Sequence, residues 1–269
     1  MQVSVIIPTY NGDYLLKKSL IPLIKSLKTI KSEIVVVDNG STDETKNFIK
    51  TRYPFIKYLH LNKNYGFTRA INEGAKIAKG SYALILNNDC FLEGNTVEEL
   101  VKTAKEHDYV ATQPIVYTMD RDNIENIGYL VDTWFGKARV VTDRNYKLKT
   151  HSDRYIYGLS ATCLLIQRDI FKKMGMLDET FHSYLEDVDL FIRLNKANYK
   201  YGPTLSASCT HEHMGTSAKM GTYKERRDFV NWIRIIIKNF KPVFILKHLP
   251  TLFTERLRNF NGIVKKMLP

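Results

Sequence analysis

The stretch Tyr82-Ala83-Leu84-Ile85-Leu86-Asn87-Asn88-Asp89-Cys90 is an apolar run that stops abruptly on three residues with polar side-chain oxygens. Gly80 precedes it, and a run this short between turn formers reads as a buried strand. Asn-Asn-Asp is costly in a hydrophobic core, so the polar tip is expected at the strand's carboxyl end. In open α/β sheets that edge is where ligands bind. One carboxylate and two amide oxygens suit a hard divalent cation, although the same three residues also make an ordinary turn.

Working outward, the preceding segments repeat the same plan. Val3-Ser4-Val5-Ile6-Ile7 is a strand closed by Pro8-Thr9-Tyr10-Asn11-Gly12, and Glu33-Ile34-Val35-Val36-Val37 runs into Asp38-Asn39-Gly40-Ser41-Thr42-Asp43. Leu15, Leu16, Leu20, Leu23, Ile24 and Leu27 recur at helical spacing between them, with a kink or break expected at Pro22. Ser41 or Thr42 is placed to cap a following helix. Residues 56–61 read as a third strand and 68–78 as a helix. This alternation predicts a largely parallel sheet with right-handed crossovers. Polar strand ends recurring along one edge point to a binding crevice. No Gly-x-Gly-x-x-Gly and no Gly-Lys-Ser/Thr occurs, so neither a dinucleotide fingerprint nor a P-loop is signalled.

Beyond the tip, residues 97–105 are helical in pattern and 109–116 extended. Residues 117–153 are polar and weakly patterned, and read as a loop-rich insertion. Gly158 to Ile166 resumes strand character, and 168–174 a short helix. Leu185, Val188, Phe191 and Ile192 then share one helical face, with Glu186, Asp187 and Asp189 crowding its first turn, where the helix dipole favours acids. Asp189 and Arg193 stand one turn apart, as an ordinary helix pair does. His211-Glu212-His213 places both imidazoles on one side only if the segment is extended.

The chain has 269 residues, 44% hydrophobic and 25% charged, enough for one large domain or a domain with an appendage. Cys90, Cys163 and Cys209 are odd in number and far apart, so neither a zinc knuckle nor a disulfide framework is indicated. Cys163 reads as core packing. Met1 leads at once into an apolar strand without the basic and long apolar regions of a signal peptide, which predicts a cytoplasmic protein. The net charge of +12 is uneven: residues 222–269 hold eleven Lys or Arg against three Asp or Glu. In that tail Phe229, Trp232, Ile233, Ile236, Ile237 and Phe240 form one helical stripe, opposite Arg227, Arg234, Lys238 and Lys241. Such a helix suits either an anionic membrane surface or packing on the body or a second subunit. No uncharged apolar run reaches the length of a membrane span.

Taken together, the residues 4–12, 37–43 and 62–74, the Asn-Asn-Asp tip and residues 158–193 resemble family 2 glycosyltransferases. Asp178-Glu179-x-Phe and Glu186-Asp187-x-Asp are similar to the rhamnosyltransferase-like branch. The resemblance covers roughly the first 217 residues. It implies a GT-A fold, with residues 1–116 as a Rossmann-like nucleotide-sugar half of mostly parallel sheet. Residues 117–221 follow as the acceptor half, and 222–269 as a basic amphipathic helical tail.

The resemblance also implies an inverting transfer from dTDP-rhamnose or a UDP-hexose to a glycan or polyprenyl-linked hydroxyl. Pro8, Thr9, Tyr10, Asp38, Arg69 and Asn88 would bind the donor nucleotide. Asp38 would accept from the base N–H, and Arg69 would meet the phosphates. Asp89 and His213 would hold Mn2+ or Mg2+, with His211 as the competing assignment. Asn87 stands where an acid is commoner, which leaves that site one charge poorer. Asp187 would be the catalytic base, with Glu186, Asp189 and Arg193 orienting the acceptor. Cell-envelope polysaccharide synthesis at the inner face of the membrane is the implied setting, and a homodimer is left open.

Three other classes stand beside this reading. A sugar nucleotidyltransferase needs a Gly-rich phosphate loop that residues 8–12 do not supply. A nucleic-acid module is prompted by a pI near 9.4, but the charge clusters on an apolar-backed helix and no such motif appears. A non-catalytic partner of another transferase is suggested only by Asn87.

Overall fold

The computed structural model describes residues 2–146, 154–212 and 222–267. Its principal sheet begins with four parallel strands, β1 (Val3–Thr9), β2 (Ser32–Asp38), β3 (Lys57–His60) and β4 (Tyr82–Leu86), in the order β3-β2-β1-β4. The register pairs Thr9 with Asp38 and Ile6 with Ile85, so β1, β2 and β4 all end at one edge. Helices α1 (Asp13–Ser26), α2 (Thr45–Arg52) and α3 (Phe67–Ile77) make the crossovers. After the Asn87-Asn88-Asp89 turn come the short strand β5 (Cys90–Leu92), α4 (Thr96–Glu106) and β6 (Ala111–Thr118).

Alternation along the strands divides the core into two layers. Val3, Val5 and Ile7 face α1 and α4, packing on Leu16, Leu20, Leu23, Val97 and Leu100. Ile6, Val35 and Ile85 face α3 and later helices. Pro22 sits inside α1, which runs on to Ser26. Of the kink or break expected there, the break does not occur, because burial of Leu20 and Leu23 on the sheet holds the turns on either side of Pro22. Helix α2 is capped at Glu44 without a side-chain bond, and neither Ser41 nor Thr42 caps it. Ser41 Oγ instead accepts from Asn11 N–H at 2.8 Å, and Thr42 N–H donates to Asn11 Oδ1 at 2.8 Å.

The region expected to be irregular contains β7 (Ile124–Asn126), β8 (Tyr129–Asp132) and β9 (Lys137–Val140), and β10 (Tyr155–Gly158) follows just beyond it. β7 pairs with β6, and the other three form a separate antiparallel sheet, β10-β8-β9. Strands of three or four residues are too short to show alternation, which is why the sequence pattern hid them.

β11 (Cys163–Gln167) returns antiparallel between β4 and β6, and β12 (Tyr201–His211) runs parallel to β6 and antiparallel to β5. Between them lie α5 (Arg168–Lys173), a 3-10 turn at Glu179–Phe181 and α6 (Glu186–Lys196). The C-terminal segment is a pair of helices, α7 (Tyr223–Asn239) and α8 (Pro242–Met267). α7 packs on the body: Trp232 and Ile235 join the α3–α6 layer. Its buried face, Asn231, Trp232, Ile235, Ile236 and Asn239, is rotated from the predicted stripe, and Ile237 is 71% exposed. Among the described residues, no helix is long and apolar enough to cross a membrane.

Candidate active site

The carboxyl edge of the sheet opens on a cavity of about 1080 Å³. Pro8, Thr9 and Tyr10 line one wall from the end of β1, and Asn87, Asn88 and Asp89 line another from the turn after β4. Asn88 Nδ2 donates to Thr9 Oγ1 at 3.0 Å, which ties the two strand ends together. The antiparallel return of β11 brings Ser160, Ala161 and Thr162 to the same edge, and β12 delivers His211 to it.

Asp89 and His211 meet because Cys90 is the register partner of His211 across β5 and β12. His211 Nε2 lies 3.2 Å from Asp89 Oδ1, while its Nδ1 lies 3.0 Å from Glu125 Oε1 on β7. Burial alone disfavours the imidazolium, but the bonds to Asp89 and Glu125 outweigh it and carry His211 up to about 9. A carboxylate holding the far nitrogen of an imidazole is the arrangement that orients a metal-ligating histidine. Asn87 Oδ1 is buried without a hydrogen-bond partner among the described residues. That orphaned oxygen and the Asp89–His211 donor pair fit a divalent cation of the manganese type. His213 lies outside the described residues. Glu125 was missed in the sequence because its strand is three residues long and carries no pattern.

The second half of the site is the N-terminus of α6. Asp187 and Glu186 border the cavity, and Asp187 Oδ2 accepts from Ala161 N–H at 3.2 Å while Oδ1 accepts from Val188 N–H at 2.8 Å. Burial raises the Asp187 carboxyl above its ordinary range, against the lowering pull of those two N–H groups. Glu186 is pushed up to about 8 by burial and by the neighbouring Asp187 charge, and its Oε2 has no partner among the described residues.

The loop that presents these acids is strained. His182, Tyr184 and Leu185 have φ of 63°, 68° and 64°, a conformation that costs non-glycine residues about 1 kcal/mol or more each. Three restraints hold it. Asn231, fully buried on α7, donates through Nδ2 to the carbonyls of Phe181, Ser183 and Tyr184 at 3.2, 2.9 and 2.8 Å. Thr68 N–H, in the first turn of α3, donates to His182 O at 3.2 Å. Tyr223 Oη lies 3.2 Å from His182 Nδ1. Gly66 permits the approach of α3, since a Cβ there would stand 2.6 Å from His182 O. A polar Asn231 one turn before Ile235, on an apolar helix face, was the sequence signal for this role.

Four expected site residues stand elsewhere. Asp38 is fully buried and does not border the cavity: Ser41 N–H binds its Oδ1 at 2.8 Å, and Tyr58 Oη and His60 Nδ1 hold Oδ2. Burial works against its ionisation, yet those bonds keep its carboxyl below the usual range. The neighbouring Asn39 lines the cavity instead. Arg69 lies on the outside of α3, half exposed, with its guanidinium 4.4 Å from the Tyr65 ring centroid and Nε 4.0 Å from Glu73. Asp189 is fully buried between Arg193 at 2.8 Å, Lys238 at 3.0 Å and Asn239 at 2.8 Å. Arg193 also donates to the carbonyls of Met174 and Met176. Together they lock α6 to α7 and to the turn after α5, and neither lines the cavity.

Parallel strands that end together at one cavity, with the Asp89 carboxylate in the turn at that edge, have the form of a GT-A nucleotide-sugar glycosyltransferase. The model described as "Glycosyl transferase family 2" matches residues 4–175, and the chain belongs to that family. It is 29% identical over 253 residues to an uncharacterized glycosyltransferase of Rickettsia prowazekii, covering 91% of this chain and 74% of that protein. It is 26% identical over 202 residues to the N-acetylglucosaminyl-diphospho-decaprenol L-rhamnosyltransferase of Mycobacterium tuberculosis, covering 66% of each. Among solved structures, the mannosyltransferase PcManGT from Pyrobaculum calidifontis, in complex with GDP-Man and Mn2+, has the same fold. Its TM-score is 0.63 at 17% identity, over 99% of this chain and 73% of that one.

Proposed function

We propose that the protein is an inverting, metal-dependent hexosyltransferase that moves a sugar from a nucleoside diphosphate to a hydroxyl of a lipid-linked glycan acceptor. The observation that carries this reading is that Asp187 and Asp89, almost a hundred residues apart in sequence, border one cavity large enough for a nucleotide-sugar. Asp187 takes the proton of the attacking hydroxyl, whose oxygen bonds to the anomeric carbon as the bond to the diphosphate breaks on the opposite face. Burial suits it to the task, since a raised pKa makes it a stronger base. Glu186, largely neutral below about pH 8, donates its O–H to an acceptor oxygen.

Asp89 and His211 Nε2 would hold Mn2+ or Mg2+, and the cation would offset the charge that builds on the leaving diphosphate. Pro8, Thr9, Tyr10, Asn39 and Asn88 flank the donor nucleotide. The likeness to a rhamnosyltransferase supports dTDP-rhamnose ahead of a UDP-hexose, and the diphospho-decaprenol in that relative's name supports a polyprenyl-linked acceptor.

The same reading places the protein on the inner face of the cell membrane through α8. Val243, Leu246, Leu249, Phe253, Leu257, Phe260 and Val264 are all exposed and recur at helical spacing along its length. Exposed Lys247, Arg258 and Lys265 flank that stripe on one side, as on helices that lie in an anionic headgroup layer. Lys266 at the end of α8 contacts Glu225, which lines the cavity, so a lipid-borne acceptor would arrive beside the site.

Asp187→Asn tests the chemistry. Transfer should fall at least about 100-fold with donor-nucleotide binding retained in a thermal-shift titration. Parallel loss of both would make Asp187 a structural residue and remove the reading.

A further inference from the structure

Cys90, Cys163 and Cys209 converge in space although 73 and 46 positions separate them along the chain. They come from three strands, β5, β11 and β12, and each is fully buried and free. Their three Sγ atoms all lie within 4.8 Å of one another. Other buried residues of the same layer, Leu86, Leu92, Val116 and Leu165 among them, are aliphatic.

We propose that this trio is a binding site for one thiophilic cation, held in trigonal coordination by three thiolates. The geometry is close to what such an ion requires. Metal–sulfur bonds of about 2.3 Å in a planar trigonal site place the sulfurs about 4.0 Å apart, so a contraction of at most about 0.8 Å suffices. Sulfur-only coordination selects soft ions. Among the described residues the group holds three candidate ligands and no fourth, which disfavours tetrahedral Zn2+ and favours ions that accept three sulfurs, such as Cd2+ or Cu(I).

Hydrogen bonding among the three sulfurs, together with burial, leaves the thiols well above their ordinary range, so the ion must displace their protons. Binding of Cd2+ by three thiolates releases three protons to solvent and leaves one net negative charge in the core. No sulfur is oxidised. Entry is served by β5, which has three residues and forms the outer edge of the sheet, the kind of element that opens locally at low cost.

The experiment uses the full chain with Cd2+ alone, under a non-thiol reductant and after refolding in the presence of the ion, so that access is not limiting. The expected result is one thiolate-bound Cd2+ per chain, counted from the saturation of a thiolate-to-cadmium charge-transfer band in the near ultraviolet, with proton release into weak buffer and a raised melting point. Cys163→Ala should weaken binding by more than the ~100-fold that loss of an outer partner costs a metal site, and Cys209→Ala should do the same if the first variant folds poorly. The Asp89–His211 site keeps its residues in both variants and gives no thiolate band, so the band alone decides between the two sites. A native protein without the band, or a band unchanged in whichever cysteine variant folds, would overturn the proposal.

Discussion

Asn231 Nδ2 donates to the carbonyl of Tyr184 at 2.8 Å, so a side chain from α7 holds the backbone that presents Glu186 and Asp187. Its bonds to Phe181 and Ser183 make it the main clamp on three left-handed residues. Removing one buried donor from several carbonyls costs about 1–3 kcal/mol. Asn231→Ala should therefore lower unfolding free energy by about that amount in a urea titration. Transfer should drop more than the unfolded fraction explains, because the loop can relax from its strained φ values. A variant with full specific activity would reduce Asn231 to a packing role.

Glu186 gives a pH signature. Its unfolded pKa is about 4.3, and its folded value is pushed up to about 8. The folded protein keeps this proton where the unfolded chain has lost it, so stability declines as pH rises from about 4.3 through 8. Asp187 on the same helix and Asp228 on α7, itself raised to about 6 by burial and nearby acids, face the same region and act in the same direction. Glu186→Gln removes one of these contributions. Its melting point should gain on wild type progressively between pH 5 and pH 9, measured in one buffer series. A constant offset across that range would mean that Glu186 is already ionised when folded.

His211 separates metal from nucleotide. His211→Gln keeps a polar group beside Asp89 but loses the imidazole donor and its bond to Glu125. Mn2+-dependent stabilisation by a nucleoside diphosphate should weaken at least about 10-fold, while the weaker metal-free binding stays unchanged. Chelation of the wild type by EDTA should reproduce the variant's behaviour in the same titration.

Leu246 and Phe253, 70% and 65% exposed on α8, contribute to the proposed membrane face rather than to folding. The double change to Gln should shift stability by no more than about 0.5 kcal/mol. Cosedimentation with phosphatidylglycerol vesicles should fall more than about 10-fold, since each side chain contributes about 1.5–3 kcal/mol when fully buried in lipid. Unchanged sedimentation would leave the stripe for another partner.

The parts of the fold legible in the sequence were those with long uninterrupted signals. β1, β2 and β4 are buried on both faces, so they show as apolar runs, and their polar ends mark the crevice edge. The three-stranded sheet β10-β8-β9 is built from elements too short to show a period, and its antiparallel pairing is fixed only by tertiary contacts. Site residues followed a similar divide. Asp187, Glu186, Asp89 and Asn88 sit at ends of elements where the chain turns toward the cavity. Asp38, Asp189 and Arg193 look equally functional as letters, yet none of them lines the cavity, and hydrogen bonds to Ser41, Asn239 and the Met176 carbonyl hold them in the body. Separating the two requires knowing which neighbours fold over them. The cysteine trio is the extreme case, because spacing along the chain says nothing about three strands meeting side by side.

The clamp from α7 also sets a rule for building hybrids. Residues 222–240 and the segment 181–187 form one inseparable cartridge, since the first supplies the fastener and the second the piece being fastened. Grafting segment 181–187 from a relative without its matching helix should leave the transplanted acids pointing astray, whereas moving both pieces together should keep them aimed at the cavity.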